Sequence, residues 1–170
     1  MFVAGGYREI GIDHFALPTD GLAIAAGQER LRRNFQGYTD DPSSVLIGLG
    51  ASSISRFPQG FAQNVSATAD YAKAIRAGRF ATFRGHAFAG QDLMRARIIE
   101  ALMCDFRIAR AEVGPAGQAL LAEVAADFPG MVTLDDQAFE ILPDARPLTR
   151  VIARRFDEYQ AMQAQHSAAI

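Results

Sequence analysis

The sequence predicts a mixed α/β chain in which a strand-rich segment of about sixty residues precedes a mainly helical, winged-helix-like part. Apolar and polar residues alternate over residues 7–17, which is typical of a strand. Farther along, apolar side chains recur at helical spacing over residues 91–106 and 118–128. With 170 residues, the chain is long enough for one ordinary domain or two small subdomains.

The N-terminal elements follow from local signals. The predicted strand at residues 7–17 ends at Pro18, and Asp20 stands at the N-cap position of a predicted helix over residues 21–31. Residues 44–47 predict a second, buried strand that runs into the glycine-containing loop at residues 48–55. Glycines at a strand end indicate a close approach of backbone or ligand.

The second half predicts helices, a hairpin and a last helix. A helix over residues 68–77 ends at a plausible C′ glycine, Gly78. After the helices at residues 91–106 and 118–128, alternation around residues 135–137 predicts a β-hairpin near 131–142. Pro147 is expected to open a final helix with four apolar side chains on one face: Leu148, Ile152, Phe156 and Tyr159. Helix, helix, hairpin, helix is a winged-helix-like order.

Charge and hydropathy exclude two classes of partner. The chain has 17 basic and 19 acidic residues, a formal net charge of −2, whereas phosphate contacts require a positive surface. The helix at 118–128, where a winged helix would read DNA, contains Glu123 and Asp127 and no Lys or Arg. No apolar run approaches the ~20 residues of a membrane helix, and no leader is visible. We therefore expect a cytoplasmic protein with neither a nucleic-acid partner nor a membrane partner.

Cysteine content excludes several metal sites. Cys104 is the only cysteine, so this chain can supply neither a disulfide, nor a Cys-rich zinc site, nor the thiolates of an iron–sulfur cluster. His86 and His166 have no Cys or carboxylate at metal-ligand spacing. We predict no metal ligands here and expect Cys104 to be a buried, inert core thiol.

Several blocks of sequence resemble one known family. Residues 11–18 (GIDHFALP), 33–39 (RNFQGYT) and 46–55 (LIGLGASSIS) are similar, in this order, to blocks of oxygen-independent coproporphyrinogen III oxidase, the radical S-adenosylmethionine (SAM) enzyme of haem biosynthesis. Residues 84–85 and 103–107 resemble further blocks of its C-terminal domain. The resemblance covers nearly the whole chain and corresponds to roughly the C-terminal third of that enzyme.

The resemblance implies a fold and a reaction. Residues 1–60 would be the last strands of a radical-SAM β/α barrel, and residues 61–170 a helical C-terminal domain with the hairpin near 131–142. The implied reaction is oxidative decarboxylation of two propionates of coproporphyrinogen III to vinyl groups, which gives protoporphyrinogen IX. It is started by a radical that a [4Fe–4S] cluster generates from SAM.

The resemblance also implies site residues. Phe35, Gln36 and Ile54 match positions that line a second SAM site, where an amide can bond a polar edge and apolar side chains can pack on the adenosyl group. From the residues alone, Phe35 and Ile54 are better explained as core positions, and only the resemblance favours the SAM site. No residue of this chain is expected to be catalytic.

Four further residues are candidates for binding substrate carboxylates. Arg32, Arg33 and Arg56 flank the family blocks, and a guanidinium binds a propionate bidentately; each is also explained as a solvated surface arginine. His14 is either a hydrogen-bonded core or rim histidine or a pocket residue near the propionates. Because Asp13 and His14 are adjacent, a strand would point them to opposite faces.

The family's cluster motif, Cys-x3-Cys-x2-Cys, and its glycine-rich SAM site are missing from this chain. We therefore expect the chain alone to be inactive and to need the N-terminal barrel portion as its partner, whether it is a fragment, a truncated gene product or a subunit of a split enzyme. The alternatives are an interaction module without activity, or a relative of the radical-SAM haem chaperones. The chaperones carry Tyr-Glu-Ile-Ser-Asn where residues 11–15 read GIDHF, so the decarboxylase is favoured.

Overall fold

The computed structural model describes residues 1–159 and has mixed α/β content, which confirms the predicted class. These residues form two compact units: residues 1–40 with the chain from residue 91 onward, and residues 41–90. The elements are β1 (Arg8–Ile10), β2 (His14–Ala16), α1 (Gly21–Gly27), β3 (Arg32–Asn34), β4 (Gly37–Thr39), β5 (Ile54–Phe57), β6 (Gly60–Asn64), α2 (Thr68–Arg76), β7 (Thr82–Ala87), α3 (Asp92–Asp105), β8 (Arg107–Ala109), α4 (Pro115–Asp127), β9 (Val132–Leu134), β10 (Ala138–Ile141) and α5 (Thr149–Arg154).

The single strand predicted at residues 7–17 is wrong, because the segment is a tight antiparallel hairpin of β1 and β2. The chain reverses at Gly11, whose φ of +57° is costly for any residue with a Cβ. A Cβ at Gly11 would also lie 2.7 Å from Cε1 of Tyr38. Since alternation with period two is the same in one strand and in two paired strands, the pattern could not locate this turn.

The N-cap of α1 is confirmed, because Oδ1 of Asp20 accepts a hydrogen bond from Leu22 N at 2.8 Å. The helix ends at Gly27, four residues before the predicted end at residue 31. Glu29 adopts a left-handed φ of +54°, and Arg30 N donates to Ala25 O, so the chain has already turned away from the helix axis.

The main core lies in the first unit between α3, α4, α5 and the three-stranded sheet β8-β10-β9. The predicted hairpin is present as the antiparallel pair β9 and β10. Helix α4 starts at Pro115, three residues before the predicted start, since proline is well suited to the first helical position. The largest fully buried side chains of this core are Phe139, Phe156, Ile98, Leu102, Ile108, Leu121, Ile141 and Ile152.

The last helix differs from its prediction. Residues 143–148 form a 3₁₀ helix with Pro147 inside it, and α5 is only six residues long. Of the four side chains predicted to share one helix face, only Ile152 lies within α5. Ile152 and Phe156 are fully buried, whereas Leu148 and Tyr159 are exposed. His166 lies outside the described residues.

The second unit contradicts the buried strand predicted at residues 44–47. Val45, Ile47 and Leu49 are 44%, 58% and 84% exposed, and only Leu46 pairs, through one bridge to Arg56. The sheet is instead β5-β6-β7. Strands β6 and β7 lie where the sequence suggested helices, whereas α2 and its C-terminal glycine, Gly78 at φ +66°, agree with the prediction.

Every strand pair within residues 1–159 is antiparallel. The compact units divide at residues 40 and 90 and not at residue 60. The division at residue 60 concerns the complete protein and stays a prediction. None of the helices in residues 1–159 has the length and apolar character needed to cross a membrane.

Candidate functional site

Tyr38 organises the first unit around the β3–β4 hairpin. Its hydroxyl donates to Met103 O at 2.9 Å and accepts from Ile12 N at 3.0 Å, so it connects β4 to α3 and to the turn between β1 and β2. The His14 ring lies 5.0 Å away, nearly perpendicular to the tyrosine ring. Burial raises the pKa of Tyr38, which keeps the hydroxyl protonated and able to donate.

The turn before β2 places Asp13 beside His14. Nδ1 of His14 lies 2.8 Å from Oδ1 of Asp13, and Arg150 Nη2 donates to the other carboxylate oxygen at 2.5 Å. The hydrogen bond from His14, with the charge of Arg150, holds the pKa of Asp13 below its usual range. The expectation that the two side chains point to opposite faces is therefore wrong, because Asp13 lies in the turn and not in the strand.

The predicted arginines of the first unit are already engaged by the protein. Arg32 forms an ion pair with Glu100 on α3 at 3.3 Å, and the backbone N–H of Arg33 donates to the same carboxylate at 3.4 Å. The Arg33 guanidinium lies 5.7 Å from the centre of the Tyr38 ring, a cation–π arrangement. Within the described residues, the Arg32 guanidinium is paired with a carboxylate, whereas the Arg33 guanidinium is not.

Phe35 and Gln36 form the two-residue turn of the β3–β4 hairpin. Oδ1 of Asn34 accepts from Gln36 N at 2.8 Å, which fixes the turn. Phe35 is 54% exposed and Gln36 is exposed, so neither is a core residue. A Cβ at Gly37 would lie 3.7 Å from Nε2 of His14, so the imidazole reaches the end of this turn.

The first unit thus collects five of the seven predicted site residues around one hairpin: His14, Arg32, Arg33, Phe35 and Gln36. The other two, Ile54 and Arg56, lie on β5 of the second unit and are half-buried.

Ile54 follows a loop, residues 48–53, that side chains of the second unit hold in place. Nδ2 of Asn64 donates to Gly50 O at 3.0 Å and to Gly48 O at 3.2 Å, and the Tyr71 hydroxyl accepts from Gly50 N at 3.0 Å. A Cβ at Gly48 would lie 2.9 Å from the backbone of Ile54, which confirms the expected close approach at this glycine. At Gly50 the expectation is wrong, because a Cβ there would meet nothing within 4 Å.

Sequence reasoning did not select Asn64, Tyr71, Tyr38 or Arg150. An Asn at the end of a strand beside a glycine loop is the only local signal for Asn64, and it does not say which carbonyls the amide would meet. The two hydrogen-bond partners of Tyr38 lie 26 and 65 residues away along the chain, and the partner of Arg150 lies 137 residues away. No local pattern could therefore indicate them.

The described residues do not fit a [4Fe–4S] cluster. Cys104 is buried, and burial raises the pKa of its thiol to about 12, which opposes the thiolate form that iron requires. Within residues 1–159, no three His, Cys, Asp or Glu side chains are grouped so that they could hold a metal ion.

No protein-family profile matches the chain. Individual relatives do: the oxygen-independent coproporphyrinogen III oxidase of Paracoccus denitrificans is 56% identical over all of this chain, and that of Escherichia coli is 35% identical over 94% of it. The chain spans 39% and 37% of the lengths of these two relatives.

A solved structure agrees with these relatives. Coproporphyrinogen III oxidase (HemN) from Escherichia coli, described as a radical SAM enzyme, superposes with a TM-score of 0.80 at 34% identity. The match covers 93% of this chain and 38% of that structure.

Proposed function

Since this chain is homologous to the C-terminal part of the oxygen-independent coproporphyrinogen III oxidases, we propose that it serves as that part of a radical SAM enzyme. The enzyme oxidatively decarboxylates two propionates of coproporphyrinogen III to give protoporphyrinogen IX. The observation that carries the proposal is 56% identity over the whole chain to an oxidase of that name.

The chain's own residues contribute to ligand binding in this proposal. Phe35 presents an exposed ring for the adenosyl group of a second SAM, and the Gln36 amide can bond a polar edge of it. Ile54, at the end of the loop held by Asn64, adds an apolar contact. The positive charges for substrate propionates come from Arg33, with Arg32 and Arg56 as further candidates.

The cluster and the SAM bound to it belong to the N-terminal barrel portion, which is the partner this chain requires. When bound there, the cluster supplies the electron that cleaves SAM. The chain alone is therefore inactive. The order α3, α4, β9–β10, α5 corresponds to a winged-helix-like domain in this proposal, and residues 1–60 adjoin the barrel; a cytoplasmic location stays a prediction.

A chimeric enzyme tests the proposal. The C-terminal part of the Paracoccus denitrificans oxidase is replaced by residues 1–170 of this chain, the cluster is reconstituted anaerobically, and porphyrins are oxidised and separated after incubation with coproporphyrinogen III, SAM and a reductant. We expect protoporphyrin to form, with the intact relative as the positive control. A chimera that holds a full cluster and cleaves SAM but forms no product contradicts the proposal, and binding of haem without turnover would favour the haem-chaperone alternative.

A further inference from the structure

Three side chains form a continuous hydrogen-bonded chain from α5 to His14 on β2, whose ring contacts Tyr38 of the β3–β4 hairpin. Arg150, on the first turn of α5, pairs with Oδ2 of Asp13, and Oδ1 of Asp13 meets Nδ1 of His14 at 2.8 Å. Arg150 and Asp13 are 137 residues apart in the sequence, so the tertiary fold alone brings them together. Each oxygen of the carboxylate has one charged or polar partner, which fixes its plane.

This arrangement fixes the orientation of the imidazole. A carboxylate can only accept, so Nδ1 of His14 is the nitrogen that donates to Asp13. The His14 ring also makes an edge contact with the Tyr38 ring, at a centroid distance of 5.0 Å, and this contact further restrains the imidazole. The other nitrogen, Nε2, is then directed toward Gly37, at the end of the exposed Phe35–Gln36 turn.

The charge pattern around Nε2 selects the class of ligand. Asp13 is neutralised by Arg150, Glu100 is engaged by Arg32, and the guanidinium of Arg33 lies on the same tyrosine ring that His14 contacts. An imidazole protonated on both nitrogens donates from Nε2 while Nδ1 stays bound to Asp13. Because the Arg33 guanidinium and the His14 ring both contact the Tyr38 ring, this part of the hairpin favours a carboxylate over a cation.

We propose that Asp13 and Arg150 position His14 so that its Nε2–H donates to a ligand carboxylate beside the Phe35–Gln36 turn. The inference rests on the proposed function, in which two ligands carry carboxylates: SAM, through its methionine group, and coproporphyrinogen III, through its propionates. His14 contacts the ligand, whereas Asp13 and Arg150 are positioning residues.

Kinetics of the chimera separate these roles. His14→Gln removes a charge-assisted donor, so the KM for one of the two carboxylate ligands rises about tenfold or more while kcat at saturation is retained. The ligand whose KM rises identifies the source of the carboxylate. Arg150→Gln raises the same KM by a smaller factor, and Arg150→Lys, which keeps the charge, restores it.

A matched control separates positioning from stability. Arg155 and Asp127 form a second ion pair with the same 2.5 Å separation and similar exposure, distant in the sequence from the hairpin. Exposed ion pairs of this kind add little to the free energy of unfolding, so neither Arg150→Gln nor Arg155→Gln is expected to unfold the protein. Arg155→Gln should leave both KM values unchanged. An equal effect of Arg155→Gln and Arg150→Gln would overturn the positioning role.

A second measurement does not depend on turnover. In the full chain labelled with ¹⁵N-histidine, the His14 signals, assigned with His14→Gln, should show a protonated Nδ1 that changes in Asp13→Asn and Arg150→Gln but not in Arg155→Gln. In the chimera, the Nε2 signal should move with SAM or with coproporphyrin III, and not with 5′-methylthioadenosine or coproporphyrin tetramethyl ester, which lack the carboxylates. Unchanged KM values in His14→Gln, or equal shifts with the carboxylate-free probes, would overturn the proposal. An inactive wild-type chimera would instead count against the proposed function.

Discussion

At the scale of single residues, Tyr38 holds the candidate site together, because its hydroxyl bonds both Ile12 N and Met103 O. Tyr38→Phe leaves Ile12 N without its acceptor and Met103 O without its donor, while the ring packing is kept. We expect the free energy of unfolding to fall by about 1–3 kcal/mol, measured by urea denaturation. Tyr7→Phe, on a ring that packs on Phe2, is the control and should change little; equal losses in the two variants would contradict the role given to Tyr38.

Ile54 is the residue through which the second unit is proposed to meet SAM. In the chimera, Ile54→Asp should abolish coproporphyrinogen turnover and leave the cluster absorbance unchanged, because a carboxylate replaces an apolar contact. Ile75→Asp, an equal substitution at a half-exposed position of α2, should retain activity. Normal turnover in Ile54→Asp would remove Ile54 from the SAM site.

Asp105 gives the stability a pH dependence of definite sign. Burial raises the pKa of its carboxyl to about 6, against the opposing charge of Arg97, while the unfolded chain has the usual value near 3.8. The folded state therefore binds the proton more tightly, and stability falls as the pH rises from about 4 to 6.

The loss from this group amounts to roughly 2 to 3 kcal/mol and is complete above pH 6. Asp105→Asn should flatten this part of the profile and raise stability at pH 7, as measured by denaturant unfolding between pH 4 and 7. Asp136→Asn, at a fully exposed carboxyl, should leave the profile as it is. A profile of Asp105→Asn that still falls over this range would show that another group titrates.

At the scale of elements, the loop at residues 48–53 depends on the Asn64 amide. Asn64→Asp replaces the donor to Gly48 O and Gly50 O with an acceptor, so two hydrogen bonds are lost and like oxygens face each other. The amide hydrogens of Gly50 and Ser52 should exchange about tenfold faster or more. Asn34→Asp is the matched control, since Oδ1 of Asn34 only accepts and an Asp can do the same; unchanged exchange in Asn64→Asp would show that the loop is held by its backbone alone.

The elements that the sequence predicted well are those with local causes. The cap at Asp20, the glycine after α2 and the apolar stripes of α3 and α4 depend on neighbours a few residues away, and the structure has them within a few residues of the expected ends. The strands were harder to predict from the sequence, because they depend on residues that are distant along the chain. The turn at Gly11 depends on the ring of Tyr38, and the sheet β5-β6-β7 depends on pairings across most of the second unit.

The candidate site shows the same division. Phe35, Gln36 and His14 could be selected from the blocks that resemble the oxidase family. The residues that hold them in place, Tyr38 and Arg150, could not be selected, because their hydrogen-bond partners come close only after the chain has folded. The exposure of Ile47 and Leu49 was missed because an apolar run alone does not show whether a strand has neighbours.

At the scale of the whole molecule, the central proposal is a division of the chemistry between two parts of the complete protein. The chain spans 36–39% of the length of several oxidases, and its described residues include the hairpin whose side chains we propose to bind a carboxylate and an adenosyl group. Its one cysteine, Cys104, is buried, and burial raises the pKa of the thiol so that the thiolate form is disfavoured. Ligand binding and radical generation are therefore assigned to different parts of the complete protein.

Release of 5′-deoxyadenosine after anaerobic reconstitution with iron and sulfide tests this division most directly. The isolated chain should show no stoichiometric cluster by absorbance or EPR and release no deoxyadenosine from SAM with dithionite, because one cysteine cannot supply the thiolates. The chimera with the N-terminal part of the Paracoccus denitrificans oxidase should do both. A cluster signal with dithionite-dependent deoxyadenosine release from the isolated chain would contradict the account.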